Sequence, residues 1–351
     1  MQRLPALLLI IALLASGLLA GFARMGLSST TLFEAAAILH GPLMIGAFFG
    51  TVISVERAVA LNRPWAWAAP LAAAISGVMM VLSWPWWSVQ LIALMASLMF
   101  IAVNLAVLRR QTAAHTITLL IAAICWLIAN LAWITSHDPS LAAPWWLAFL
   151  IITIAGERLE LSRLVVRPGK ANPQFAIALL VLLLGALSVA MNESTGLQIF
   201  SAGCLALAIW LIRYDIARHN IRRDGITRYI AACLLSGYVW LAVGGALGIL
   251  GALMPGHVWR DAALHAITLG FVVTMVFGHA LIIVPAVLRI RVTYHPAFYA
   301  PLLLLHVSVT IRVAAGLVGE TALQRFGAMA NVASLMVFAL ILIWRRQASR
   351  P

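Results

Sequence analysis

Four histidines fall inside runs of apolar residues. His40 opens the string His40-Gly41-Pro42-Leu43-Met44, His265 and His279 share one later run, and His306 lies in the next. An ionisable side chain at membrane depth is costly, so each of these needs a partner or a task. Imidazole in an apolar bundle is the usual axial ligand of haem iron, and the macrocycle suits that setting. It also binds copper or zinc, which normally recruit a third or fourth N, S or O ligand. The structural alternative is a neutral ring hydrogen-bonded to a backbone carbonyl or to a Ser or Thr of a neighbouring helix. The other five histidines (His115, His137, His219, His257, His295) stand at run ends or between runs, and read as solvated or interfacial.

Charged pairs give a second signal. One run ends Ser54-Val55-Glu56-Arg57, and another contains Ala155-Gly156-Glu157-Arg158 followed by Glu160 and Arg163. Each is followed by an Arg-Pro, Arg63-Pro64 and Arg167-Pro168, and a fainter echo runs from Arg289 and Arg291 to His295-Pro296. As chemistry, Glu56, Arg57, Glu157, Arg158 and Glu160 could form a proton or anion path, or anchor haem propionates. As structure, they are ion pairs that tie helices together, and the adjacency of acid and base favours that reading. Arg312 has no acidic neighbour in sequence, and Glu34, near the same outer boundary, is a candidate partner.

The elements that must position these residues follow from composition. The 351 residues are 64% hydrophobic and 9% charged, with a mean hydropathy of +1.04. A soluble chain carries about a quarter charged residues, so a cytosolic enzyme, a nucleic-acid-binding module and a disordered chain are excluded. Apolar runs near the length that crosses a bilayer recur from end to end, and period-two alternation is absent. The expectation is an all-α polytopic membrane helical bundle of about 12 transmembrane helices, forming a single integral-membrane domain over 1–351. The spans are expected near 5–23, 33–61, 66–84, 88–108, 115–135, 144–165, 174–191, 196–214, 228–253, 262–288, 297–318 and 326–344. The first run resembles a signal peptide, but no A-x-A-like site follows it and it is long enough to span.

Basic residues orient the bundle. With the N-terminus inside, 17 of the 23 basic residues fall on the cytoplasmic side, 3 outside (Arg24, Arg260, Arg325) and 3 within spans (Arg57, Arg158, Arg312). This places both termini in the cytoplasm. It also accounts for the net charge of +13 without a nucleic-acid partner. The longest loop, Asp215 to Thr227, is basic and interfacial. Cys125, Cys204 and Cys233 lie inside runs without paired spacing and read as small hydrophobes.

Counting at 1.5 Å per residue puts His40 about 10 Å and His265 about 5 Å below the outer boundary, and His279 and His306 each about 13 Å above the inner one. That makes an outer pair and a mid-membrane pair. His279 follows His265 by 14 residues, close to four whole turns, so both project from one face. The recurrence of the Glu-Arg pattern every four spans suggests a three-fold repeat of four-helix blocks.

Twelve helices with such a repeat are similar to the catalytic subunit of haem-copper oxidases, where an H-G-x-x-M string on helix 2 and a histidine on helix 10 hold a low-spin haem. His40 to Met44 matches that string, and His265 stands on the corresponding helix. The resemblance implies haem b held by His40 and His265. The copper-site histidines of that family are missing from spans 6 and 7, so oxygen reduction is not expected. The run His265-Ala266-Ile267-Thr268-Leu269-Gly270, with Met275 after it, resembles the NnrS family of twelve-helix haem proteins linked to nitric oxide. His40, Met44 and Gly46 are compatible with that family too.

The expectation is therefore a b-type haem protein of a bacterial inner membrane, handling nitric oxide or transferring single electrons. His40 and His265 are the ligands, Met44 and Arg312 lie near the cofactor, and His279 and His306 form a second haem, copper or gas-binding site. Its partners are the lipid bilayer and a small gaseous ligand or electron donor. Two alternatives stand beside it. One is a cofactor-free, proton-coupled transporter using Glu56, Glu157 and Arg158, and the other is an assembly or haem-transfer factor.

Overall fold

The computed structural model describes residues 3–27, 37–162 and 168–347. Twelve helices in it are long and apolar enough to cross a membrane, and the chain is an all-α, multi-pass membrane protein. In chain order they are α1 (Arg3–Arg24), α2 (Pro42–Leu61), α3 (Ala68–Val81), α4 (Trp86–Arg110), α5 (Ala114–Ser136), α6 (Pro139–Leu161), α7 (Ala171–Ser188), α8 (Glu193–Tyr214), α9 (Gly225–Ile249), α10 (Arg260–Leu288), α11 (Tyr299–Val318) and α12 (Thr321–Trp344). The contacts divide the chain into two compact units, 1–157 and 158–351, so the boundary falls near the end of the sixth span.

In the first unit α1 packs on the start of α2, α3 joins α2 to α4, and α4 packs on α5. Asn130 is the polar hub of α4, α5 and α6. Its amide donates to the Ala93 carbonyl at 2.9 Å and to Ser97 at 3.1 Å, while its oxygen accepts from the Trp146 indole at 3.2 Å. Such hydrogen bonds satisfy groups that hydrocarbon would leave unpaired. Around them the rings of Trp126 and Phe149 stack at 5.0 Å, with Phe100 edge-on to both.

In the second unit α7 and α8 form a close hairpin. A Cβ at Gly185 would collide with the Phe200 backbone and one at Gly203 with that of Leu182, so only glycine permits this approach. Helices α9 to α12 pack in succession beside it. The stacked rings of Phe277 and Phe338, 4.1 Å apart, join α10 to α12. The connection after α10 carries β1 (Arg291–Val292), which pairs antiparallel with β2 (Arg346–Gln347). The three cysteines are buried and unpaired with one another.

Two spans are not α-helical throughout. Pro42–Phe49 at the start of α2 and Ala266–Val273 within α10 are π-helices. Such segments are rare and cluster at functional sites. His40 stands two residues before the first and His265 immediately before the second.

Candidate functional site

His40 is positioned by α1. Gly17 and Gly21 lie four residues apart and share a helical face, which makes a shelf of bare backbone. A Cβ at Gly17 would run into the Met44 sulfur, and one at Gly21 would approach His40 Cε1 to 2.9 Å. The Met44 side chain and the imidazole therefore both lie on this shelf. His40 Nδ1 is 2.8 Å from the Gly17 carbonyl oxygen. A carbonyl only accepts, so Nδ1 carries the proton and donates it. Pro42 opens the π-helix at a position where its missing N–H costs nothing.

His265 is positioned by charge. Its Nδ1–H points at the Asp261 carbonyl at 2.8 Å and the Asp261 carboxylate at 3.1 Å, one turn back on the same helix. The carboxylate is held in turn: Arg312 of α11 donates through Nε at 2.9 Å and a terminal nitrogen at 2.8 Å, and Gln324 of α12 donates at 2.9 Å. A bidentate fork of this kind fixes the carboxylate in plane and register. The chain Arg312–Asp261–His265 fixes the ring through its Nδ1 side. Histidines that bind metals characteristically donate their other N–H to such a carbonyl or carboxylate.

Arg312 therefore pairs with Asp261, and Glu34, the candidate partner in sequence, lies outside the described residues. Asp261 was absent from the expected site. Its spacing of four from His265 is the signal that marks it.

The mid-membrane pair divides. His279 repeats the pattern, with Nδ1–H donating to the Met275 carbonyl at 2.7 Å. His306 differs: the Trp240 indole donates to its Nδ1 at 3.0 Å, and its Nε2–H donates to the Ser236 hydroxyl at 2.9 Å. Both nitrogens of that ring are thus engaged inside the second unit, and the lone pair is spent on Trp240.

The Glu-Arg strings also resolve into specific pairs. Arg57 of α2 meets Glu157 of α6 at 2.8 Å, within the first unit. Arg158 turns to Asp215, with bonds of 2.8 and 3.1 Å, and both side chains are almost wholly buried. Asp215 also accepts from the Ser162 hydroxyl at 3.3 Å and the Ala217 N–H at 2.6 Å, which caps the one-turn helix Ala217–Asn220. Neither arginine pairs with the glutamate preceding it, because consecutive helical residues do not face each other. Glu56 and Glu160 are half-buried on α2 and α6. Asp215, read from sequence as the start of an interfacial loop, is a buried anchor.

The model of a family described as "Domain of unknown function (DUF8744)" matches residues 3–347. The chain belongs to that family. The match takes in every one of the twelve spans and all of the residues above. No curated protein matches the chain.

Chemically, His40, His265 and His279 each give Nδ1–H to a backbone carbonyl, and His306 offers a donor–acceptor bridge between α9 and α11. The buried Arg158–Asp215 pair and the half-buried Arg57–Glu157 pair hold charges that hydrocarbon would otherwise expel.

Proposed function

We propose that this protein is a membrane-embedded b-type haem protein of a bacterial inner membrane, which handles nitric oxide or passes single electrons, with His40 and His265 as iron ligands. One observation carries the reading. Both rings stand at the start of a π-helix with Nδ1–H given to a carbonyl 2.8 Å away, the arrangement an axial histidine requires. The H-G-x-x-M string at His40 and the likeness of the His265 segment to the NnrS family support it. Bound haem supplies one-electron exchange and an iron that takes small gases. The chain holds the rings in one tautomer and one orientation, through Gly17 and Gly21 for His40 and through Asp261 and Arg312 for His265. His306, engaged on both nitrogens, is assigned to holding α9 against α11.

The test is a reduced-minus-oxidised spectrum and a pyridine haemochrome assay on the purified full-length chain, with His40→Ala, His265→Ala and His306→Ala. The expected result is low-spin haem b in the wild type and in His306→Ala, lost or turned high-spin in the other two. The same assay gives the number of haems per chain. Full low-spin haem in both His40→Ala and His265→Ala overturns the proposal. So does a wild type free of haem after expression with haem supplied. That second result leaves the proton-coupled transporter, for which the half-buried Arg57–Glu157 pair is the supporting observation.

A further inference from the structure

The second unit contains a cavity of about 590 Å³ whose walls include none of His265, His279 and His306. Its walls come from the loop before α9, the first two turns of α9 and the connection into α11, with Ile221, Arg228, Ala232, Tyr294, Pro296 and Tyr299 facing it. Most of this surface is apolar. The polar exceptions are the two phenols, the exposed Arg228 guanidinium and Asp224, which opens α9 without capping it through its side chain. Arg228 makes no ion pair among the described residues.

The position of the cavity adds to its chemistry. It lies where spans end, at the level of lipid headgroups. Arg222 and Arg223 precede it in the loop and are exposed. On its other side, Tyr294 follows Thr293, whose N–H donates to the Arg345 carbonyl at 3.3 Å beside the ladder that pairs Arg291 with Gln347 and Val292 with Arg346. Five arginines (Arg222, Arg223, Arg228, Arg289, Arg291) thus belong to the two segments that border the cavity, and Arg345 and Arg346 belong to the segment paired with the second of them. The one acid in its wall is Asp224.

An apolar hollow with a cationic rim at the membrane surface complements a molecule with an apolar body and an anionic head. We propose that this cavity binds an anionic phospholipid, with the headgroup phosphate on Arg228 and the phenol hydroxyls and the acyl region against Ile221, Ala232 and Pro296. Basic pockets between spans on the cytoplasmic side are suited to such headgroups. The inference is independent of the haem reading.

The experiment follows the thermal stability of the delipidated full-length chain in neutral detergent, titrated with phosphatidylglycerol, phosphatidylcholine or inorganic phosphate. The expected result is a saturable rise in Tm with phosphatidylglycerol alone. Half-saturation should move at least several-fold higher in Arg228→Gln and in Tyr299→Phe, and stay unchanged in Arg325→Gln, an exposed arginine on the opposite side. An equal response to phosphatidylcholine overturns the proposal, and so does wild-type titration by both cavity variants or equal weakening by Arg325→Gln. A response to inorganic phosphate as large as that to the lipid overturns the lipid and assigns the cavity to a free anion.

Discussion

His40 and His265 reach the same endpoint by different physics. In the first unit an imidazole is placed by packing: bare glycine backbone on α1 lets the ring close to hydrogen-bond distance of the Gly17 carbonyl. In the second unit the ring is placed by a charged lattice, in which Arg312 and Gln324 fix Asp261, and Asp261 fixes the ring. A packed placement tolerates no added volume but is indifferent to charge. A charged placement tolerates small changes in volume but fails when one partner goes, because a buried charge is then left alone.

Three substitutions probe that contrast. Asp261→Ala has the largest expected effect: it strands the Arg312 guanidinium, 8% exposed, at a cost of about 3–5 kcal/mol. Thermal unfolding should show a large fall in Tm. A Tm within a degree or two of wild type would break the comparison. Gly21→Ala comes next, at about 1–3 kcal/mol for overpacking. Its methyl pushes on His40 Cε1, so Tm should fall by less than in Asp261→Ala. Gln324→Ala is the smallest, about 0.5–1.5 kcal/mol for one hydrogen bond, since Arg312 still holds Asp261 in both directions. A Gln324→Ala loss as large as that of Asp261→Ala would mean that the amide, not the guanidinium, organises the cluster.

Apolar run length was a sound guide to the spans. The expected 88–108 and 115–135 became Trp86–Arg110 and Ala114–Ser136, because hydrocarbon demands helix wherever the run is long enough. Ends were read less well. Pro144 looks like a helix start, yet it sits inside α6, which begins at Pro139. Leu250 to Leu253 look like continued span, yet α9 ends at Ile249 and Gly251 takes a φ of +88°. The π-helices were invisible, since nothing in the composition of Pro42–Phe49 or Ala266–Val273 distinguishes them from α-helix. The charged residues were found, but their partners were not. Arg312 meets an aspartate 51 positions away, and Arg158 one 57 positions away, and neither separation leaves a trace in sequence. The Asp261–His265 pair is the exception, legible from a spacing of four.

The π-helix in α2 also acts as a dial. His40 lies before it and Arg57 after it, so the angle between the imidazole on α1 and the guanidinium on Glu157 depends on how many residues the widened turns absorb. Deleting one residue between Pro42 and Phe49 would turn one end against the other by about 100° and unseat one of the two. Substitutions there trade one apolar surface for another. Between these two positions, length is the inherited quantity that matters.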